Sequence, residues 1–308
     1  MADILREPPA GGWGGPWTEK KLDAFIKYVK AYLTIMNKYH WKTIYFDGFA
    51  GSGERRMKKD DDGTNLSLFG FGNIILSNKE ETVYQGAAER IMRLPVPYKF
   101  DYYYFVEKNH KNIENLKKRL SSIPEYDQLN PKPQFKIGDC NKWLNELSMA
   151  LKSDPKKYAS LVFIDPFGMQ VDWSSIEKLK GTRSDVWILI PTGVIVNRLL
   201  DKKGELKYIN KLKDFFGMSE KQIREKFYPP VGYKMTSLFD GKEIDIIQKV
   251  KNPINRIAQI YIENMQKVWS HVTKNPLVLY NNNGLPLFHF VFASNNASAL
   301  KIAKHIIV

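Results

Sequence analysis

The chain has 308 residues, 43% of them hydrophobic and 13% aromatic, so it can bury a sizeable core and is not a disordered polymer. Its length lies just above the size at which single cores usually stop growing, so we expect one elaborated domain or a domain with an insertion. Its 47 Lys and Arg against 33 Asp and Glu give a net charge of +14, which favours nucleic acid as a partner, although solvated surface charges are an equal alternative.

Apolar residues at spacings of three and four predict a first helix from about residue 18 to 38, with Thr18 or a neighbour as its cap, after a Gly- and Pro-rich arm over residues 1–16. Strongly apolar runs then alternate with helical patterns; these predicted strands are 43–47, 101–106, 134–137, 160–164 and 185–190. The helices between them are predicted at about 86–92, at about 109–120 and around Trp143–Leu151. Apolar strands that alternate with helices imply a parallel sheet covered on both faces, and therefore a doubly wound α/β domain.

Two segments interrupt this pattern. Residues 54–85 form a polar, irregular insertion after the first strand. Residues 194–272 carry charged, amphipathic helical patterns without strand signals, which predicts a helical insertion that could bind a substrate. Its aromatic rings could stack on bases, although such rings more often form a small core; they are Tyr208, Phe215, Phe216, Phe227, Tyr228 and Tyr233.

The sheet resumes in the C-terminal part of the chain. Residues 277–280 and 287–293, joined through an Asn-Gly turn, predict an antiparallel hairpin, and a final helix is predicted at about 297–306. The main domain is therefore predicted over residues 1–193 and 273–308.

Cysteine and histidine content restricts the chemistry. The one cysteine, Cys140, excludes an internal disulfide and a zinc site of several thiolates, and it fits a reducing cytoplasm. The five histidines show no pair at ligand spacing, so we expect no metal. The N-terminus lacks the apolar core of a signal peptide, and the longest uncharged stretch, 275–300, is broken by turn residues. We therefore expect a cytoplasmic protein without a membrane span.

The predicted strands end in Gly, acidic or Pro residues, and ligands of open α/β sheets bind beyond these carboxyl ends. The stretch Gly51–Arg56 lacks the third glycine of a dinucleotide fingerprint, and no Gly-Lys-Ser/Thr closes the loop as in a phosphate-binding loop. The Asp47 carboxylate would repel a pyrophosphate and attract an ammonium or sulfonium group. Glu107 is placed for a ribose diol and Asp139 for an adenine amino group. The pattern favours S-adenosylmethionine, although Asp and Glu also commonly cap helices.

With these motifs the chain resembles the class I S-adenosylmethionine-dependent methyltransferases. More narrowly, it is similar to the three-Cys-motif partner protein family, through Gly15–Leu22, Asp47–Gly53, Asp165–Gly168 and Leu287–Ser294. The resemblance spans nearly the whole chain and implies a Rossmann-like fold and a three-cysteine-motif protein as a partner. One departure is that Glu107 follows Asp47 by far more than the roughly 20 residues of a compact nucleotide-binding unit, which fits the insertion at 54–85.

The Asp-Pro-Phe-Gly motif is also similar to that of tRNA guanine-N2 dimethyltransferases and, more loosely, to the Asp-Pro-Pro-Tyr motif of amino-methyltransferases. The exocyclic amine of a base is a weak nucleophile, because its lone pair is delocalised into the ring. Asp165 and the Pro166 carbonyl could accept hydrogen bonds from this amine, while Phe167 stacks on the base and Gly168 admits the backbone. A simple turn leaving the strand is the alternative.

The leading hypothesis is a methyltransferase that acts on a base amine in RNA or DNA, with RNA favoured. Its catalytic residues would be Asp165, Pro166, Phe167 and Gly168. Its cofactor-binding residues would be Asp47, Gly48, Phe49, Ala50, Gly51, Gly53, Glu107, Lys108, Gly138, Asp139 and Cys140.

Several alternatives stay open. Cys140 could be a buried small residue, while Trp17 and Lys21 could help close the cofactor site or, for Trp17, staple the first helix. The protein could also be a non-catalytic binding partner of another protein or RNA. A nicotinamide oxidoreductase is disfavoured by Asp47 and by Arg56 in place of the third glycine.

Overall fold

The computed structural model describes residues 16–55, 84–236, 243–281 and 283–307. Its strands are β1 Lys42–Asp47, β2 Glu54–Arg55, β3 Tyr84–Gln85, β4 Tyr102–Glu107, β5 Gln134–Ile137, β6 Tyr158–Ile164, β7 Ser184–Ile190, β8 Pro230–Thr236, β9 Glu243–Ile247, β10 His271–Val272, β11 Leu277–Tyr280 and β12 Pro286–Ser294. The central sheet has the order β10-β12-β7-β6-β1-β4-β5, with β11 also paired to β12.

Within the sheet, the neighbouring strands β5 and β4, β4 and β1, β1 and β6, and β6 and β7 pair in parallel. Strand β12 is antiparallel to β7, β10 and β11. The sheet is therefore a mostly parallel, doubly wound, Rossmann-like sheet with an antiparallel C-terminal hairpin. This confirms the predicted fold class.

Helices cover both faces of the sheet, because neighbouring residues of the central strands bury apolar side chains on opposite sides. The helices are α1 Pro16–Met36, α2 Ala87–Met92, α3 His110–Ser121, α4 Cys140–Ser153, α5 Trp173–Glu177, α6 Asn197–Leu199, α7 Ile209–Phe216, α8 Glu220–Phe227, α9 Pro253–Met265 and α10 Ala297–Ile307. Helices α1, α2, α3 and α10 share one hydrophobic cluster with Tyr45 and Phe163 of the sheet. Helices α4, α5 and α7 to α9 share the other cluster with Ile44 and Val162.

The elements of the main domain lie close to their predicted positions. Helix α1 begins at Pro16, so Thr18 lies inside the helix and is not its cap, which corrects that prediction. Residues 56–83, most of the predicted insertion, lie outside the described residues. At the base of this segment, β2 and β3 form a short antiparallel pair.

The prediction of a helical segment without strands between residues 194 and 272 is wrong at β8 and β9, which pair antiparallel, and at β10, which pairs antiparallel with β12. Apolar residues alternate with other residues in Val231–Thr236, a period of two that favours a strand. The core interpretation holds for the rings that are buried in the same cluster as the sheet: Phe215, Phe216, Phe227 and Tyr228. Because they are buried, these rings are not available to stack on bases.

The chain turns sharply where it leaves β7, through a π-helix at Thr192–Val196. A Cβ atom added at Gly193 would lie 1.9 Å from the carbonyl oxygen of Pro286, which is backbone and cannot move aside freely. Glycine at this position therefore permits the close approach of β12 to the end of β7.

Replacing Gly193 with alanine should lower the free energy of unfolding by about 3 kcal/mol, the upper range for overpacking a core. Urea denaturation measures this difference. A matched control is Gly181→Ala, where an added Cβ meets nothing within 4 Å and only the positive φ of +79° opposes the change. We expect the control to lose about 1 kcal/mol. Equal losses in both variants would contradict the role of the close approach.

Candidate functional site

The carboxyl ends of β1, β4, β5 and β6 meet at one edge of the sheet, because these strands are parallel and adjacent. From β1, the chain first adds β4 and β5 on one side and later adds β6 and β7 on the other. The order of strands thus reverses between β1 and β6, which is where open α/β sheets bind their ligands. Every residue group predicted as catalytic or cofactor-binding follows one of these four strands.

Asp47 ends β1 with a carboxyl group that is almost entirely buried, at 1% exposure. The Tyr45 hydroxyl donates to its Oδ2 at 3.2 Å, and the Phe49 N–H donates to its Oδ1 at 3.1 Å. Burial, with a smaller contribution from the negative charge of Asp165, raises the pKa of Asp47 to about 7. The hydrogen bonds from Phe49 and Tyr45 and the Lys21 ammonium oppose this shift. A carboxyl group in this position would gain from a cationic ligand.

The glycine loop after Asp47 follows a path that side chains would obstruct. A Cβ at Gly48 would lie 2.7 Å from Cys140 Sγ, and Gly51 and Gly53 have φ values of +64° and +77°. The loop is also tied to β4, since the Ala50 N–H donates to the Val106 carbonyl at 2.9 Å. These contacts hold the loop against the end of β4 and against Cys140.

Glu107, at the end of β4, supports the same loop. Its Oε2 accepts from the Gly51 N–H at 3.0 Å, and its Oε1 accepts from the Asn109 N–H at 2.8 Å. A carboxylate has about four lone-pair positions, so acceptor capacity remains on both oxygens for ligand hydroxyls. Lys108, the next predicted residue, is exposed.

The residues after β5 divide into an exposed and a buried part. Asp139 is exposed and caps α4, accepting from the Asn141 N–H at 2.8 Å. Gly138 adopts a φ of +132° beside the Trp143 ring. Cys140 is buried at 5% exposure, and burial raises the pKa of its thiol well above the ordinary value. The alternative of a buried small residue therefore describes Cys140.

The Asp-Pro-Phe-Gly motif presents one ring at the surface. Phe167 is 38% exposed, whereas Pro166 is buried. The Phe167 N–H donates to Gln170 Oε1 at 2.9 Å, and Gly168 packs under Ile195 of the π-helix, where a Cβ would lie 2.6 Å from Cδ1. The loop is thus fixed by its backbone while the Phe167 ring stays accessible for stacking.

Asp165 is bound by Lys21, which the sequence predicted only as a residue that could help close the cofactor site. The Lys21 ammonium donates to Asp165 Oδ2 at 2.5 Å, and Lys21 is fully buried. Its ammonium also lies 5.7 Å from the centre of the Trp17 ring. A signal for this contact is present in the sequence, because Lys21 occupies the same helical face as Phe25 and Tyr28, where an apolar residue is expected.

Asn141 joins the loops after β5 and β6, a role that sequence reasoning missed. Its side-chain amide donates to the Gln170 carbonyl at 2.9 Å and accepts from the Asp172 N–H at 2.9 Å. The predicted cofactor and acceptor loops are therefore linked directly.

Two further properties concern the described part of the chain as a whole. Its helices include none with the length and apolar character needed to cross a membrane. Within the same described ranges, no three His, Cys, Asp or Glu side chains are grouped so as to hold a metal ion.

No protein-family model matches the chain, and no curated protein matches it. Its structure is similar to that of protein LPL1258 from Legionella pneumophila, described by the family name DUF519, at 12% identity, 94% coverage of this chain, 91% of that chain and a TM-score of 0.47. It is also similar to a SAM-dependent methyltransferase from Methanosarcina mazei, at 10% identity, 84% and 94% coverage and a TM-score of 0.32.

A third similarity is to the plantazolicin methyltransferase BpumL, solved with a desmethylPZN analogue and SAH, at 13% identity, 91% and 86% coverage and a TM-score of 0.31. At these identities and TM-scores, the three similarities establish neither an activity nor a substrate for this chain. The narrower resemblance to the three-Cys-motif partner family stays a prediction.

Proposed function

We propose that this protein is an S-adenosylmethionine-dependent methyltransferase. The observation that carries the proposal is that the acid-glycine loop of β1, the acids after β4 and β5, and the Asp-Pro-Phe-Gly motif of β6 converge at one edge of the sheet, across its switch point.

The described residues fit the chemical groups of this cofactor. The buried Asp47 carboxyl suits a cationic group, which an ammonium or sulfonium supplies. Glu107 keeps acceptor capacity for the two hydroxyls of a ribose, and Asp139 lies exposed where it can reach an amino group. Glycine at position 48 lets the loop pass close to Cys140, where a Cβ would lie 2.7 Å from Sγ, and Gly51 supplies the positive φ of its turn.

We propose further that the acceptor is an exocyclic amine of a base. When bound, the cofactor would supply a methyl group on a sulfonium sulfur, so that the amine nitrogen forms the new N–C bond as the C–S bond breaks and one N–H proton passes to water. Asp165 and the Pro166 carbonyl would accept the N–H groups and orient the nitrogen, while the exposed Phe167 ring would hold the base by stacking.

The net charge of +14 supports RNA or DNA as the carrier of that base. RNA is favoured over DNA because an unpaired base in a loop or end needs less rearrangement than a base in a duplex. A three-cysteine-motif protein as a partner rests on the sequence resemblance alone.

The cofactor assignment is tested by calorimetric titration with S-adenosylmethionine, S-adenosylhomocysteine and NAD. We expect binding of the first two and none of NAD; NAD binding without S-adenosylmethionine binding would overturn the assignment. The acceptor is tested by incubating the protein with methyl-labelled cofactor and separated cellular RNA, DNA and protein. We expect label in RNA, whereas label in protein alone would overturn the nucleic-acid proposal.

A second candidate function is a non-catalytic binding partner with the same fold. The ion pair between Lys21 and Asp165 favours it, because the carboxylate proposed to receive the acceptor amine already has a partner within the protein. The same titration discriminates, since an adaptor has no need to bind the cofactor.

The stacking role of Phe167 leads to a prediction about the acceptor. Phe167→Ala should raise KM for the nucleic-acid substrate by roughly 5- to 100-fold, because stacking of one base on a ring contributes about 1–3 kcal/mol. Cofactor affinity and thermal stability should stay unchanged, since the ring is 38% exposed. Tyr280→Ala, which removes a ring on β11 that is 50% exposed, is the matched control. Equal KM values for Phe167→Ala and the wild type would contradict the stacking role.

A further inference from the structure

Lys21 belongs to α1, whereas the acids that it faces follow or end strands of the sheet. The helix is held in place by rings on the sheet. The ring centres of Phe25 and Phe163 lie 4.2 Å apart in a stacked arrangement, and those of Trp17 and Phe288 lie 5.1 Å apart. Phe163 lies two residues before Asp165 on the same strand face. The packing that fixes α1 therefore also fixes the distance between the Lys21 ammonium and the Asp165 carboxylate.

The ion pair joins a fully buried ammonium to a carboxylate whose side chain is 11% exposed, and such a pair adds little stability to the contact between a helix and a sheet. Moving both charges out of water costs most of what their attraction returns, and apolar residues of similar volume often stabilise a fold as well or better. Most other buried residues of α1 join the helix to the core through uncharged rings and aliphatic side chains. They are Leu22, Phe25, Tyr28, Val29, Tyr32, Leu33 and Met36. Stability alone therefore does not account for the pair.

The environment of Asp165 explains what the ammonium does. Asp165 is faced by Lys21 from α1 and by Tyr45 and Asp47 from β1. Burial and the negative charge of Asp165 raise the pKa of Asp47, and the Lys21 ammonium opposes that shift. The same ammonium holds the Asp165 carboxylate in one place through its 2.5 Å contact with Oδ2.

Resting on the proposed function, we propose that Lys21 is a positioning residue that holds the Asp165 carboxylate oriented toward the acceptor amine, and that it links Asp165 to Asp47 on the cofactor side. Lys21 acts through Asp165 and does not itself touch the methyl group or the acceptor. The two acids therefore have different roles. Asp47 receives the cationic cofactor, whereas Asp165 is already paired with the Lys21 ammonium and receives the neutral amine.

The test compares Lys21→Met with the wild type in transfer of labelled methyl groups to the fraction that the wild-type protein labels. We expect kcat to fall about 100-fold, the loss that a misplacement of about 1 Å causes. The acidic limb of the kcat profile should move to higher pH, because the ammonium that lowers the pKa of Asp47 is gone. Tyr28→Phe is the matched control: it lies on the same helix and removes a 2.6 Å hydrogen bond to the half-buried Asp185 of β7.

A purely structural Lys21 would lower thermal stability as Tyr28→Phe does and leave the acidic limb in place; that result, or an unchanged kcat, overturns the proposal. If Lys21→Met does not fold, Lys21→Met combined with Asp165→Asn removes both charges and is compared with Asp165→Asn alone. We expect equal residual turnover, because Lys21 acts through Asp165. A further loss of 10-fold or more in the double variant would overturn the proposal. If the wild-type protein labels no fraction, the proposed function fails and this inference fails with it, whereas labelling by both wild type and Lys21→Met at equal rates overturns this inference alone.

Discussion

Asp165→Ala should reduce methyl transfer to a small residual rate while cofactor affinity stays within a few fold of the wild type. Asp165 is the first residue after β6, and its carboxylate is the acceptor that would orient the amine. Removing one such preorganised group costs roughly 100- to 1,000-fold in kcat. Methyl transfer from labelled cofactor measures the first effect, and calorimetric titration measures the second.

The same variant should also be destabilised, because it removes the carboxylate beside a fully buried ammonium. Breaking a buried pair from one side costs about 3–5 kcal/mol, so turnover must be measured at a temperature where the variant is folded. Asp185→Asn is the control for loss of a half-buried acid away from the site, since Asp185 lies on β7 and accepts a hydrogen bond from Tyr28 of α1. Turnover retained in Asp165→Ala, or lost equally in Asp185→Asn, would remove Asp165 from the chemistry.

Asp47→Asn should weaken cofactor binding roughly 100-fold, because a hydrogen bond to a charged group contributes about 1.5–3 kcal/mol. In the wild type, affinity for the cationic cofactor should rise as the pH increases through about 7, the pKa to which burial raises Asp47. The variant should lack this dependence. Titrations at pH values on both sides of 7 measure both effects, and equal affinities of variant and wild type would contradict the assignment of Asp47.

Asp47→Asn should at the same time stabilise the ligand-free protein at alkaline pH. The folded pKa of about 7 lies above the ordinary value of 3.8, so the folded state holds the proton more tightly than the unfolded state. The contribution of Asp47 to stability is therefore full below pH 3.8 and is lost as the pH rises through 7, by on the order of 4 kcal/mol. Urea denaturation at pH 5 and pH 8 should show a gain for the variant that grows with pH.

Asp101→Asn provides the opposite sign as a control. Burial works to raise the pKa of Asp101, but hydrogen bonds from Lys42 and Thr43 outweigh it and lower the pKa below the ordinary value. Its contribution to stability is present above the unfolded pKa and is lost as the pH falls. Asp101→Asn should therefore destabilise the protein at neutral pH, where Asp47→Asn stabilises it.

The parts of the site that the sequence predicts are those encoded locally. An apolar run followed by an acid and glycines marks both the strand and its carboxyl end, so Asp47, Glu107, Asp139 and Asp165 could be assigned to one edge once a parallel sheet was predicted. The glycine loop could be predicted because positive φ values require glycine at positions such as Gly51 and Gly53.

The parts that could not be predicted depend on contacts between distant segments. Lys21 and Asp165 are 144 positions apart, and no local pattern states which strand end α1 covers. The rings Phe215 and Phe227 have the spacing of either a core or a binding surface, and only the packing of their helices on the sheet decides for the core. The ribbon β8–β9 escaped prediction because its short alternating runs lie among charged helical patterns.

The position of Cys140 beside Gly48 allows opening of the glycine loop to be followed by thiol modification. Cys140 is the chain's single thiol, and it lies beneath the glycine loop with 5% of its surface exposed. Its raised pKa keeps the sulfur protonated and therefore unreactive toward thiol reagents. A reagent can reach this sulfur only when the loop lifts, so the rate of thiol modification measures how often the cofactor-side loop opens, without any label having to be added to the chain.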